Sequence, residues 1–175
     1  MASKDWATFP EYVSARSAAL HRAAYLMVGD VGLAQDLVQE ALIRTYVAWP
    51  RLHTPANAEA YTRKAITTIA IDWSRRKARW AERPSDRPPD TGTPGHADGV
   101  DEQTWLWQCL RQLPIRQRVA IVLRYYEDLT EAQTAEAMGC AIGTVKSTVS
   151  AGMARLRVLV GPSRMPHEPG EVVAP

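Results

Sequence analysis

Apolar residues recur along this chain with helical spacing, most regularly at Ala34, Leu37, Val38, Ala41, Leu42, Thr45, Tyr46 and Trp49, which fall at i, i+3, i+4, i+7, i+8, i+11, i+12 and i+15. The pattern predicts an amphipathic helix that turns this face to a core. Upstream, Thr8 and Glu11 have the spacing of a capping box and Pro10 suits a first turn, so a helix is expected from there to about Val28, ended by Gly29 and Asp30. A third helix begins near Thr54 and Pro55 and sets Tyr61, Ala65, Ile69 and Trp73 on one face. A second group opens with residues 105–113. Pro114 then starts a helix in which Ile115, Val119, Val122, Leu123 and Tyr126 keep helical spacing. Val119, Ile121, Val122 and Tyr125 are β-prone, which leaves a strand as the alternative for that stretch.

The segment LTEAQTAEAMGCAIGTVKSTVSAGMARLRVL, residues 129–159, reads as two helices meeting at a tight turn. Thr130 and Gln133 can cap the first helix reciprocally, and Gly139 supplies the positive φ that ends it. Ala135 is small enough for a close crossing, and Val145 buries into that crossing. In the second helix Val145, Val149, Met153 or Gly152, Leu156, and Leu159 or Val160 mark a buried stripe. Thr144, Lys146, Ser147, Ser150 and Ala151 are left facing outward. This is the pattern of a helix-turn-helix whose outward residues meet a major groove. A plain helical hairpin with a solvated polar face is the alternative.

Between the two groups, PSDRPPDTGTPGHADGVDEQT is rich in Pro, Gly and Asp and nearly devoid of apolar side chains, so it cannot offset the entropy of ordering itself. The chain is therefore expected to be all-α, with two small helical domains at 1–83 and 105–160, a flexible acidic linker at 84–104 and a disordered tail at 161–175. Net charge follows this division: +4, −4, +3 and −1 for domain, linker, domain and tail, summing to the overall +2. No run approaches the length of a membrane span and the N-terminus lacks the pattern of a secretory signal, so the cytoplasm is the expected compartment. Cys109 and Cys140 have no CxxC or paired-His context and read as buried free thiols, with no metal or cofactor expected.

Two surface strips have chemistry beyond packing. On the second helix, Asp36, Gln39, Glu40, Ile43 and Val47 place acids beside apolar residues opposite the core face, a mixture that suits a protein partner. Its alternative is a solvated face with two stray aliphatics. Along and after the third helix, Arg63, Lys64, Arg75, Arg76, Lys77, Arg79 and Arg83 interleave with Tyr61, Trp73 and Trp80. Guanidinium groups suit phosphates and aromatic faces can stack on unpaired bases, which together point to nucleic acid. Tyr61 and Trp73 also lie at core spacing, so the argument rests on the cations.

The stretches AQDLVQEALIRTYVAW (34–49), AYTRKAITTIAIDWSRRKAR (60–79), LRQLPIRQRVAIVLRYYEDLTEAQTAEAMGC (110–140) and GTVKSTVSAGMARLR (143–157), in this order and spacing, resemble the extracytoplasmic-function sigma factors of bacterial RNA polymerase, in particular the small actinobacterial type. The resemblance implies that the first domain binds the clamp helices of core polymerase and opens the minus-10 element. The second then reads the minus-35 element, with the polymerase flap as a further contact and an anti-sigma factor as a partner the family admits. It puts Asp36, Gln39, Glu40 and Ile43 on the polymerase contact. Arg51, His53, Tyr61, Arg63, Lys64, Thr67 and Thr68 fall on the minus-10 reading surface, Arg75, Arg76, Lys77 and Arg79 along the DNA backbone, and Thr144, Lys146, Ser147 and Ser150 at the minus-35 groove. The acidic linker would thread toward the RNA exit path.

Two positions depart from the family pattern. Thr68 stands where Asn is frequent and has no amide for paired hydrogen bonds to a base edge. Ala151 stands where a basic residue is common and offers no phosphate or guanine contact. A stand-alone helix-turn-helix regulator is the competing reading of the residues. An enzyme is disfavoured, because Glu127 and Asp128 diverge around the backbone, His21, His53, His96 and His167 are scattered, and no phosphate loop or nucleophile elbow occurs.

Overall fold

The computed structural model describes residues 8–81 and 102–161. The tail from 162 and most of the linker, 84–101, lie outside the described residues, as do Arg83 and the side chain of Trp80. Among the described residues the chain is helical throughout, with α1 (Phe9–Val28), α2 (Val31–Ala48), α3 (Pro55–Ala81), α4 (Glu102–Arg111), α5 (Ile115–Ile121), α6 (Glu131–Met138) and α7 (Ile142–Val160). A 3-10 turn at Trp49–Arg51 links α2 to α3, and a π-turn at Val122–Tyr126 follows α5, so the β-prone stretch stays helical. The start of α4 at Glu102 falls inside the stretch read as linker.

Local chemistry sets the helix ends. The Glu11 carboxylate accepts from the Thr8 amide at 2.6 Å and the Thr8 hydroxyl at 2.9 Å, and these bonds lower its pKa below the usual carboxylate value. Gly29, at φ 81°, ends α1, and the Asp30 carboxylate then caps α2 by accepting from the Leu33 amide at 2.7 Å.

The first lobe packs α1, α2 and α3 around Leu20, Ala24, Met27, Leu37, Val38, Ala41, Ile66 and Ile69. Within it runs a buried hydroxyl chain. Thr62 donates to the Ala58 carbonyl at 2.8 Å and accepts from the Tyr12 phenol at 2.8 Å, while the Thr45 hydroxyl lies 2.8 Å from both Thr62 and the Ala41 carbonyl. Burial raises the Tyr12 pKa, so the phenol remains a donor. One hydroxyl thus ties three helices together. Thr62→Val is expected to leave Tyr12 and Thr45 under-bonded and lower the unfolding free energy by about 1–3 kcal/mol. A urea titration with unchanged slope and unchanged midpoint would show that the chain of hydroxyls carries no stability.

The second lobe packs α4, α5 and α7 around Cys109, Leu110, Leu113, Ile121 and Leu156. Gly152 allows α7 to approach α5 closely, because a Cβ there would stand 2.8 Å from Ile121 Cδ1 and 3.2 Å from Gln117 Cβ.

The two lobes are docked, and one hydrophobic core runs through both: Ala65, Ile69, Ala70 and Ile71 of α3 share it with Val119, Ala120, Val122, Leu123, Leu129, Ala137 and Met138. Tyr25 packs on Trp107 with ring centroids 4.8 Å apart. The Arg118 guanidinium reaches across to the Met27 carbonyl at 3.1 Å while also donating to Arg111 and Leu113 carbonyls at 2.9 and 3.0 Å. Burial, and secondarily nearby Arg111, lower its pKa to about 10, so it stays charged at neutral pH and is matched by carbonyls at the ends of α1 and α4.

Docking gives α3 two buried faces, and this corrects the expected one. Ala58, Thr62, Ala65, Ile66 and Ile69 face the first lobe's core, whereas Tyr61, expected at core spacing, is exposed.

Candidate nucleic-acid interface

The helix-turn-helix forms as its residues dictate. The Thr130 hydroxyl accepts from the Gln133 amide at 3.2 Å, and the Gln133 side chain accepts from the Thr130 amide at 2.9 Å. Gly139 adopts φ 62° and ends α6, while Val145 is fully buried in the crossing with Ala135. That burial fixes the rotation of α7, which leaves Thr144, Lys146, Ser147, Ser150 and Ala151 exposed on its outer side. The Ser147 hydroxyl donates back to the Thr144 carbonyl at 3.1 Å, and Lys146 Nζ lies 3.5 Å from Glu131. Both side chains are exposed, so a phosphate can displace these weak local partners.

This face extends further than the pattern of α7 alone predicts. A cavity of about 260 Å³ beside Lys146 and Ser150 is also lined by Arg124, Tyr125 and Arg157. Arg157 lies at i+11 from Lys146 and i+7 from Ser150, so helical spacing alone could have added it. Arg124 could not be found that way, because it enters from the π-turn, where its guanidinium donates to the Leu129 carbonyl.

On α3, Tyr61, Lys64, Thr68, Arg75 and Arg79 are exposed at successive helical intervals, with Arg76 and Lys77 beside them. Asp72 interrupts this ladder and lies 3.7 Å from Arg75, a contact open to solvent on both sides. Lys77 stacks over Trp73 at 5.0 Å, and the Arg79 Nε donates to the Arg75 carbonyl at 3.4 Å. Arg51 and His53 are exposed on the connection from α2 to α3, at the same end as Tyr61.

Two residues expected on this surface are not on it. Thr67 is fully buried, with its hydroxyl unpartnered, and Arg63 is only 15% exposed, held by Glu59 at 2.8 Å and by Glu127 of the second lobe at 3.1 Å. Glu59 also pairs with Arg16. Helical spacing from Arg63 runs through Thr67 to Ile71, along the face of α3 that the second lobe covers. From the sequence that face looks open, because docking leaves no mark in the periodicity of one helix.

On α2, Asp36, Gln39, Glu40 and Ile43 are all exposed on one face, which Val47 continues; Ile43 is 60% and Val47 70% exposed. Glu40 pairs with Arg44 one turn on, at 2.5 Å. Exposed aliphatics flanked by acids on a rigid helix make a surface for protein association rather than for DNA. Cys109 and Cys140 are free thiols. Among the described residues no helix is long and apolar enough to cross a membrane.

Comparison with known proteins agrees with this layout. Residues 13–80 match the model for sigma-70 region 2, and residues 103–156 the model for sigma-70 region 4. An RNA polymerase sigma-E factor of Streptomyces avermitilis is 36% identical over 90% of this chain and 87% of its own. The ECF RNA polymerase sigma factor SigL of Mycobacterium tuberculosis is 31% identical over 81% and 82%. In fold, the chain is similar to the sigma factor RpoE of Bartonella quintana, solved with the anti-sigma factor NepR. That likeness has a TM-score of 0.68 at 24% identity, over 89% of this chain and 98% of that one.

Proposed function

Because this chain belongs to the extracytoplasmic-function family of RNA polymerase sigma factors, we propose that its lobes divide promoter recognition between them. Residues 1–83 grip core polymerase and the minus-10 element, and residues 105–160 read the minus-35 element, in the cytoplasm. The observation that carries this division is the segregation of surface chemistry: acid and aliphatic on α2, cationic on α3, hydroxyl and Lys146 on α7. Asp36, Gln39, Glu40 and Ile43 serve as the polymerase contact. Arg51, His53, Tyr61, Lys64 and Thr68 meet the opened strand, and Arg75, Arg76, Lys77 and Arg79 track its backbone. Thr144, Lys146, Ser147 and Ser150 enter the minus-35 groove, with Arg124 and Arg157 at its edge.

The action is association without catalysis by this chain. Phosphate contacts set register, base-edge contacts choose the promoter, and capture of extruded bases offsets part of the strand-opening cost. The polymerase performs the chemistry. An anti-sigma protein is a further proposed partner, supported by the relative solved with one.

Footprinting a reconstituted holoenzyme tests the division: substitutions on α3 should erase protection at minus-10 and those on α7 protection at minus-35. DNA binding indifferent to polymerase would fit a stand-alone regulator instead. Ala151→Arg adds a guanidinium to the exposed face of α7 and is expected to tighten promoter binding and steepen the salt dependence by about one unit. An unchanged affinity and slope would count against this face as the DNA contact.

A further inference from the structure

Building on the proposed division of the lobes, we propose that Glu131 of α6 determines specificity at the minus-35 element. Its carboxylate and the Lys146 ammonium of α7 together read one G·C pair, with guanine on the lysine side and cytosine on the glutamate side.

Three local features hold Glu131 in place. The Thr130–Gln133 capping box fixes the start of α6, so residue 131 stands in a first turn whose direction is set. The Arg124 guanidinium donates to the Leu129 carbonyl and secures the chain two residues earlier. The burial of Val145 sets the rotation of α7 and brings Lys146 to the same spot, with Nζ 3.5 Å from the Glu131 carboxylate. A group this close to the ammonium meets whatever the ammonium meets.

The surroundings favour a base pair over a phosphate as that ligand. Glu131 is the one acid among the described residues lining the cavity of about 260 Å³ beside Lys146, where Arg124 and Arg157 supply two further cations. A phosphate entering there faces the carboxylate as a like charge and has to displace it from Lys146. A base pair carries no net charge and can take both groups at once. In the major groove guanine O6 accepts and cytosine N4 donates. These two atoms are hydrogen-bonded to each other, so they lie about 2.9–3.0 Å apart, close to the separation of ammonium and carboxylate. Lys146 can then donate to O6 and N7 of guanine while Glu131 accepts from N4 of cytosine. The reversed pair sets donor against donor and acceptor against acceptor. Thymine in place of guanine leaves the ammonium one acceptor beside a methyl group. As a first-turn acid Glu131 also suits the dipole of α6, a role without base preference.

The test uses holoenzyme reconstituted from core polymerase and the full chain. Duplexes randomised across the upstream element are selected for binding, and the chosen sequence is then titrated with single base-pair changes. For the wild type, one G·C pair is expected at which any replacement lowers affinity roughly ten- to hundredfold. With Glu131→Ala the preference at that pair alone should fall to within about threefold, as the cytosine contact is lost. Glu131→Gln keeps the size of the side chain, and its amide matches adenine N6 and N7, so the preference on the glutamate side should move from cytosine towards adenine. A purely structural or charge-screening role predicts instead that both variants change affinity equally for all sequences. That result, or a wild-type preference for A·T where Lys146→Ala removes selectivity, overturns the proposal while leaving the sigma-factor reading intact. A wild-type holoenzyme that selects no duplex and starts no transcripts overturns both.

Discussion

Asp36→Lys combined with Glu40→Lys is expected to abolish binding to core RNA polymerase while leaving the fold intact. Both carboxylates stand on the exposed face of α2, beside Ile43 and Val47, and neither contributes to the core formed by Leu37, Val38 and Ala41 on the opposite face. The local cost is confined to the Glu40–Arg44 pair, an exposed i,i+4 contact worth about 0.3–0.5 kcal/mol. The melting temperature should therefore move by no more than about 3 °C. At an interface the same change introduces two charges of the wrong sign. Juxtaposed like charges at a desolvated contact cost several kcal/mol, enough to lower association by about a thousandfold or more. A pull-down with core polymerase reads the loss, and retention of wild-type binding would remove α2 as the contact.

The second large effect is on DNA. Arg75→Ala, Arg76→Ala and Arg79→Ala together strip three exposed guanidinium groups from the C-terminal part of α3, where Asp72 is the neighbouring acid and pairs with Arg75 only loosely. If each neutralises one phosphate, the slope of log affinity against log salt should fall by about two to three units, at ~0.9 per contact on duplex and ~0.7 on a single strand. Holoenzyme affinity for promoter DNA should fall roughly hundredfold at about 0.1 M salt, with little change between sequences, because phosphate contacts carry register rather than base identity. Stability should be unaffected, since these positions lie outside the packed part of the helix. A triple variant with an unchanged salt slope would show that this end of α3 does not touch DNA.

What was readable in advance depended on how local its cause was. The Thr8–Glu11 and Thr130–Gln133 caps, the left-handed Gly29 and Gly139, and the buried faces of α7 and of α2 as far as Thr45 each follow from residues within a few positions of one another. Tyr46, at core spacing on α2, is instead 63% exposed and packs its ring on Phe9. The exposed sites followed by subtraction: once Val145 is turned inward, Lys146, Ser147 and Ser150 must face out. The hydroxyl chain from Tyr12 through Thr62 to Thr45 was not readable as a network. Threonine on a core face says nothing of which distant hydroxyl it will meet.

Residue order alone therefore determined the helices, their caps, the outward strips on α2, α3 and α7, and the family to which they belong. Periodicity and capping are written within single helices. Only the tertiary structure decided that the lobes share one core, that Thr67 is buried, that Arg63 is paired with Glu127 and that Arg118 joins the lobes. The two arginine contacts join residues 64 and 91 positions apart, and the burial of Thr67 depends on a second buried face of α3. A single helix's periodicity reports one apolar stripe, and polar residues such as Thr67 and Arg63 on the other side look solvent-facing until a second lobe packs over them.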